Sequence, residues 1–383
     1  MRFISILLLL TLAVSTWGEV ANVDTDTLET KTLYVDVDAM TFFHDNEFDS
    51  DIQRGYTLPG AWATVSAQYD PIKNIHLELG IHGAFFNGAN KYPNFAYHDV
   101  SKWKGNQYQD GVHVLPWFRG VASFGKWSFV LGNIYGAEKH GFSYIMWNPE
   151  QTLSADPETG LQVLHNGKIF SADLFINWQS FQFKLDTHQE AFTVGLSSKF
   201  KVSKSFSIPL QVLIQHRGGE LDDTDDGVQT LCNASLGVEY SKELERGFLK
   251  SVGGGAEVLG SYQQAGTMWP FDLGAAFHAK AKAEARLGLS GTLGCFYAPR
   301  QFANLYGSPF FSTLSQKIPD LTFNKNVTIY FRAAYSHTFA KHYTFSAYAD
   351  FFHSNTPPSS AASCFSFGAN LHITPNFRIV SFK

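Results

Sequence analysis

The chain has 383 residues and a formal net charge of −5, and 16% of its residues are charged while 15% are aromatic. This balance offers no basic surface for nucleic acid, and it favours a β-rich chain with a lipid-facing surface. The three cysteines are odd in number and scattered, which excludes a disulfide framework, so we interpret them as small apolar side chains.

The N-terminus has the pattern of a secretory signal peptide. Met1-Arg2 precedes an apolar run from Phe3 to Val14, and small residues follow up to Gly18. Residues 1–18 are therefore predicted to be a signal peptide, since the apolar run is short for the alternative, a membrane anchor. Residues 19–31 are predicted to form an N-terminal periplasmic segment.

Alternation with a period of two recurs along the rest of the chain, most clearly at residues 273–287. Apolar residues there alternate with a set that includes His278, Lys280, Lys282, Glu284 and Arg286. A helix would spread these charges around its circumference and leave no apolar stripe, so a strand is favoured. Sixteen strands are predicted, at residues 32–43, 61–69, 75–86, 112–123, 128–137, 160–165, 169–178, 190–202, 206–216, 228–240, 250–262, 273–284, 288–298, 326–339, 343–352 and 364–374.

The connections between these strands alternate between short and long. The long ones are expected at residues 44–60, 87–111, 138–159, 179–189, 217–227, 263–272, 299–325 and 353–363. Residues 181–186 also alternate, but an extra strand there would break the even count, so they are placed in a loop. Short turns on one rim and long loops on the other are typical of an outer-membrane barrel.

A secreted β-sandwich is the main alternative to a membrane barrel. About 365 residues without a linker are too many for one sandwich core, and the polar strand faces suit a wet lumen. The fold is therefore predicted to be all-β. We expect a transmembrane antiparallel up-and-down β-barrel of about 16 strands in the cell outer membrane, with long extracellular loops and short periplasmic turns. The barrel is expected at residues 32–374, followed by a C-terminal tail at 375–383.

The chain resembles Gram-negative outer-membrane porin-like β-barrels over residues 32–374. It is also similar to a poorly characterised outer-membrane family of the Bacteroidota in four short motifs, at residues 154–158, 160–162, 177–179 and 189–190. Many such barrels end in an aromatic residue that directs insertion. Here Lys383 follows Phe382, so Phe382 or Phe377 could serve as that signal.

No sequence motif indicates a catalytic centre, a cofactor site or a metal site. His76, Glu78 and His82 share one strand face, but neighbours two residues apart are about 7 Å apart, which is wide for one ion. The acidic run at residues 222–227 lacks the pattern of a calcium loop. Charged and polar residues on the predicted inner faces are instead candidates to line the lumen, namely Asp36, Asp38, His76, Glu78, His82, Arg119, Lys199, Lys201, His278, Lys280, Lys282, Glu284, Arg332 and Asp350.

The predicted function is passive or weakly selective diffusion of small polar solutes through a water-filled lumen, which needs no enzyme activity and no cofactor. The aromatic loops 87–111 and 299–325 could either fold inward and narrow it or simply cap the barrel. Expected partners are outer-membrane lipid, lipopolysaccharide, small polar solutes and a second copy of the chain, but no nucleic acid. Two alternatives are a non-conducting surface or assembly barrel, and an outer-membrane hydrolase of lipid or peptide with a rim site drawn from His44, Asp45, His98, Asp99, His188 and His353.

Overall fold

The computed structural model describes residues 29–87, 112–180, 189–219, 227–355 and 362–382, and within them almost all regular structure is β. No helix in these ranges is long and apolar enough to cross a membrane. The strands, in chain order, are β1 (Thr32–Asp49), β2 (Arg54–Ile72), β3 (Ile75–Phe86), β4 (Val112–Phe124), β5 (Trp127–Asn133), β6 (Thr159–Asn166), β7 (Phe170–Ser180), β8 (Ala191–Lys201), β9 (Phe206–Arg217), β10 (Gln229–Glu243), β11 (Leu249–Ala265), β12 (Leu273–Ala285), β13 (Leu289–Ala298), β14 (Asn326–Phe339), β15 (Tyr343–Ser354), β16 (Ala362–Ile373) and β17 (Asn376–Ser381).

The sheet is closed because β1 pairs with strands from both ends of the chain. One edge of β1 pairs with β2, and the other pairs first with β17 and then with β16. The last two strands lie end to end along β1, so together they occupy one place in the wall. The result is the predicted closed antiparallel barrel of sixteen wall positions.

Pro375 separates β16 from β17 without opening the wall. Proline has no amide proton to give to the ladder, but its carbonyl accepts a hydrogen bond of 3.0 Å from the Val37 amide. Beyond it, Phe382 donates its amide to the carbonyl of Lys31 at 2.7 Å. The prediction of a separate tail at 375–383 is therefore wrong for residues 376–382, which are bonded to β1 or to the residue before it.

The alternation predicted most strand positions, and β3 and β14 begin and end where the pattern placed them. The expected long loop at 44–60 is wrong, because β1 and β2 continue toward each other and only residues 50–53 connect them. The strand expected at 128–137 ends at Asn133, after which the chain turns into the barrel. Polar side chains on inward-facing positions, such as His44, made it difficult to recognise the ends of these strands from the sequence pattern.

The outer face of the barrel is apolar, as the alternation in β12 illustrates. Leu273 and Phe277 point outward and are 73% and 44% exposed, whereas His278 points inward and is fully buried. Aromatic residues lie on the outer face near both rims, including Trp127, Phe206 and Tyr343 at the short-turn rim. Such rows are the expected boundary between hydrocarbon and headgroups.

The hydrophobic core lies inside the barrel and not outside it. The chain between β5 and β6 and the chain between β13 and β14, residues 134–158 and 299–325, fold inward and bring Met146, Phe310 and Phe311 into full burial. We call these two segments together the plug. Of the two loops for which inward folding or capping was considered, 299–325 folds inward and most of 87–111 lies outside the described residues. The inward course of 134–158 was not predicted.

Wall side chains hold the plug in place through its backbone. Asn233 in β10 donates to the Ala303 carbonyl at 2.8 Å and accepts from the Leu305 amide at 2.7 Å. Asn326 in β14 donates to the Phe310 carbonyl at 2.8 Å. Because a buried backbone group without a partner is costly, these amides let irregular backbone fill the lumen.

Candidate functional site

Charged side chains of β8, β10 and β12 pair with one another on the inner wall below the plug. Glu239 Oε2 lies 3.0 Å from Lys199 Nζ, and its other oxygen lies 3.1 Å from Lys280 Nζ. Lys282 Nζ lies 2.6 Å from Glu284 Oε1. Each of these lysines is therefore paired with a carboxylate at short range.

A second inward group joins β2, β3 and β4. His76 lies between two carboxylates, with Nδ1 2.6 Å from Asp70 Oδ1 and Nε2 3.1 Å from Glu78 Oε1. Arg119 Nη1 lies 3.1 Å from the same Glu78 oxygen. The guanidinium also lies over the ring of Tyr135, 4.0 Å from its centroid, which ties the start of the plug to the wall.

The remaining predicted lumen residues are spread around the wall and form no single centre. Asp38 lies 2.5 Å from His372, Asp36 accepts from Asn376 at 2.9 Å, and His82 lies 2.9 Å from Thr64. Arg332 Nη1 bonds Asp350 Oδ2 at 2.8 Å, and Lys201 is exposed near the short-turn rim. Among the described residues, no group of three or more histidine, cysteine and acidic side chains could hold a metal ion.

His278 belongs to a buried set that superficially resembles a catalytic triad. Its Nδ1 lies 2.8 Å from Glu257, its Nε2 lies 3.0 Å from the hydroxyl of Tyr330, and Ser235 donates to Glu257 at 2.5 Å. Because the serine bonds the carboxylate and not the imidazole, the histidine cannot accept its proton. The set also lies beneath the plug, away from lipid.

A buried ionic cluster that the sequence did not reveal anchors the plug through His140. The imidazole is fully buried, with Nδ1 2.8 Å from Asp173 Oδ2 and Nε2 2.9 Å from Glu158 Oε2. Burial alone would lower the pKa of His140, but the two carboxylates raise it to about 10. The ring stacks on Phe175 at 3.7 Å, so the cluster is a brace without space for a substrate. The apolar run at residues 142–147 beside His140 was the sequence feature that could have indicated this cluster, because a run of this kind is expected to be buried.

Glu150 anchors the plug at the opposite wall. It lies 3.3 Å from His44 and accepts from the hydroxyl of Tyr56, while His44 lies 2.7 Å from the hydroxyl of Tyr348. Burial opposes ionisation of Glu150, but His44 and Tyr56 hold its pKa below the usual range. His44, a candidate for a rim hydrolase site, is therefore part of the plug support.

The outer face carries a different kind of group at the long-loop rim. His353 in β15 is directly opposite Ser363 in β16, and the Ser363 hydroxyl lies 3.0 Å from His353 Nδ1. Both side chains are exposed. A hydroxyl within hydrogen-bond distance of an imidazole is the arrangement that proton transfer from a nucleophile requires.

Of the other residues considered for a rim hydrolase, only Asp45 is described. It shares the outward side of β1 with Phe43 and accepts a hydrogen bond of 2.5 Å from Thr57. His98, Asp99 and His188 lie outside the described residues. Sequence reasoning named His353 but missed Ser363, because the pairing of β15 with β16 fixes their contact and the spacing of the two residues does not.

The architecture defines a closed outer-membrane β-barrel whose lumen is filled by its own chain in the half nearest the long loops. The chain belongs to the lipid A 3'-O-deacylase-type family, whose model matches residues 23–382. No curated protein matches the sequence.

Solved structures similar to this one are outer-membrane proteins. OprD from Pseudomonas aeruginosa has 10% sequence identity and a TM-score of 0.53, covering 95% of this chain and 100% of its own. OmpT from Vibrio cholerae has 11% identity and a TM-score of 0.50, covering 89% of this chain and 99% of its own. At such identities the likeness concerns the fold, and it agrees with the predicted outer-membrane location. The resemblance to a Bacteroidota family stays a prediction.

The family corrects one expectation from the sequence. The prediction that the protein is not an enzyme is wrong, because the family model that spans the chain describes a deacylase. The prediction relied on the absence of a catalytic motif within a short stretch of sequence. In a barrel, groups that react together can come from neighbouring strands and need not form such a motif.

Proposed function

We propose that the protein hydrolyses an acyl ester of a lipid A-type glycolipid in the outer membrane. The match of the deacylase-type family model across residues 23–382 carries this proposal. The plug supports it, because a lumen filled by Met146, Phe310 and Phe311 is better suited to a rigid scaffold than to an open pore. The hydrolase alternative considered from the sequence thereby becomes the leading hypothesis.

The substrate fits the outward surface of the barrel. A lipid keeps its acyl chains in hydrocarbon, and its ester groups lie where the chains meet the headgroups. Near the long-loop rim, Phe351 and Phe365 are 52% and 43% exposed on the outer face, at the level expected for this boundary. A reactive group beside them could reach an ester without removing the lipid from the membrane.

The reaction is tested with the purified full chain in vesicles that contain lipid A. We expect mass spectrometry to detect a lipid product that lacks one ester-linked acyl chain, together with the matching free fatty acid. Protein unfolded by heat is the control and should leave the lipid intact. Intact lipid after prolonged incubation with folded protein would contradict the proposal.

A diffusion channel is the second candidate, favoured by partly exposed polar groups on the inner wall. His372 and Asp38 keep 33% and 45% of their side-chain surface exposed there. Solute passage would require the plug to move, so we expect closed-state behaviour with rare openings. Conductance steps in planar bilayers would support this function, and their absence with inserted, folded protein would exclude it.

A further inference from the structure

Two cross-strand pairs on the outer face bring a hydroxyl and an imidazole into contact at the long-loop rim. One is Ser363 with His353, and the other is Thr230 with His216, whose atoms lie 2.9 Å apart. Both pairs are directly opposed in their strand registers. They differ in access, because the Ser363 and His353 side chains are exposed while the other two are half-buried.

The surroundings of the second pair explain this difference. The ring of His216 lies 5.1 Å from that of Phe192, which in turn stacks on Trp178 at 5.1 Å. Aromatic rings therefore cover one side of this pair, and its hydroxyl is secondary. The Ser363 hydroxyl is primary, and a primary alcohol is less hindered as a nucleophile.

Outward orientation of the exposed pair follows from the alternation around it. Phe352, Ser354 and Cys364, the immediate neighbours in sequence, are buried on the inner side. Side chains two residues away, Phe351 and Phe365, point outward with the pair. Successive outward side chains are about 7 Å apart, so the pair lies about 7 Å above this aromatic row.

The side of the pair facing β14 is apolar. Ile329 is directly opposite His353 in the register and is 48% exposed. An acyl chain could therefore lie along Ile329, Phe351 and Phe365 while its ester reaches the serine. This location gives the pair what the buried serine set of His278 lacks, which is contact with membrane lipid.

We propose that Ser363 is the nucleophile and His353 the general base of a lipid acyl esterase on the outer face of the barrel. The inference rests on the proposed function and adds to it the reacting residues and their place at the long-loop rim. Both residues lie on hydrogen-bonded strands, which hold a reactive pair more rigidly than a loop would.

The chemistry balances without any further reactant except water. The Ser363 oxygen bonds to the ester carbonyl carbon while its proton moves to His353 Nδ1. When the tetrahedral intermediate collapses, the bond to the lipid alkoxide breaks and the imidazole returns the proton to that alkoxide. Water then attacks the acyl-serine, His353 accepts its proton, and a fatty acid leaves as the proton returns to Ser363.

Labelling with a fluorophosphonate probe tests the pair independently of the substrate. We expect the folded wild-type protein in vesicles to be modified at Ser363, as mapped by mass spectrometry of its peptides. Ser363→Ala should abolish the labelling. His353→Ala should slow it roughly 100-fold or more, because general base catalysis contributes at least that factor. His216→Ala is the matched control and should label at the wild-type rate.

The lipid assay with the same variants separates failure of this inference from failure of the proposed function. Deacylation by wild type that persists in folded Ser363→Ala would overturn the inference and leave the function standing. Labelling of Ser363 without deacylation of lipid A would support the reactive pair and exclude that lipid as substrate. Loss of activity in His216→Ala, with normal activity in His353→Ala, would overturn the assignment. Heat-modifiable migration on gels verifies that each variant is folded.

Discussion

Trp147 and Tyr306 stack with ring centroids 4.9 Å apart, and their backbones form a parallel bridge between the two segments of the plug. The hydroxyl of Tyr306 also reaches Thr193, Gln179 and Gln215 on the wall. One aromatic pair thus joins both segments to each other and to the barrel. The plug is therefore expected to respond to disturbance as a unit.

Trp147→Ala should loosen the whole plug. Removal of a buried tryptophan side chain typically costs about 3–5 kcal/mol of unfolding free energy. We expect limited proteolysis to cut within residues 134–158 and 299–325 much faster than in wild type, while the wall stays resistant. Trp127→Ala removes a half-exposed outer ring and is the control. Unchanged cleavage of 299–325 in Trp147→Ala would mean that the two segments are independent.

Stability should fall as the pH rises through the alkaline range because of His140. Its pKa of about 10 in the folded protein exceeds the ordinary value of 6.5, so its stabilising contribution is complete below pH 6.5 and is lost toward pH 10. The free energy of unfolding should decrease by up to about 1.4 kcal/mol per pH unit in this window.

The His140→Gln variant should lack this pH-dependent part. Urea unfolding followed by tryptophan fluorescence at several pH values measures it. His337→Ala, which alters an exposed histidine near the short-turn rim, should keep the wild-type dependence. The same pH dependence in His140→Gln and wild type would contradict the role of the cluster.

The buried pair of Arg332 and Asp350 should tolerate removal of both charges better than removal of one. Arg332→Met leaves a buried carboxylate without its partner, which is expected to cost about 3–5 kcal/mol. The double variant with Asp350→Leu should recover much of this loss. Urea unfolding of the two single variants and the double variant gives the coupling energy between Arg332 and Asp350. If the losses of unfolding free energy in the single variants simply add up in the double variant, the prediction is wrong.

Gly288 should be less replaceable than Gly247, although both adopt positive φ in short turns. Their φ values are +81° and +94°, so either Gly→Ala substitution carries a backbone cost of at least about 1 kcal/mol. A Cβ on Gly288 would also lie 2.1 Å from the Ser336 carbonyl oxygen, whereas one on Gly247 meets nothing within 4 Å. The midpoint of thermal unfolding should be much lower for Gly288→Ala than for Gly247→Ala, and equal midpoints for the two variants would contradict this.

The wall was largely predictable because its physics is local. In β12 each residue faces either lipid or lumen, and the period of two records that choice directly, as Phe277 and His278 illustrate. The plug was not, since residues 134–158 have no regular period and their burial depends on distant partners, such as Gln211, which accepts from the Ser143 amide, and Tyr306, which stacks on Trp147. The contact of Ser363 with His353 likewise depends on strand register, which only the closed sheet specifies.

The pairing of β1 with β16 and β17 also has a consequence for biogenesis. The first strand finds its second partner only in β16 and β17, so the barrel cannot close before these two strands have been exported. Until then β1 keeps an unpaired edge that could recruit strands from other molecules. A binding factor that covers this edge during transit would prevent such aggregation, and the late arrival of β17 would release it.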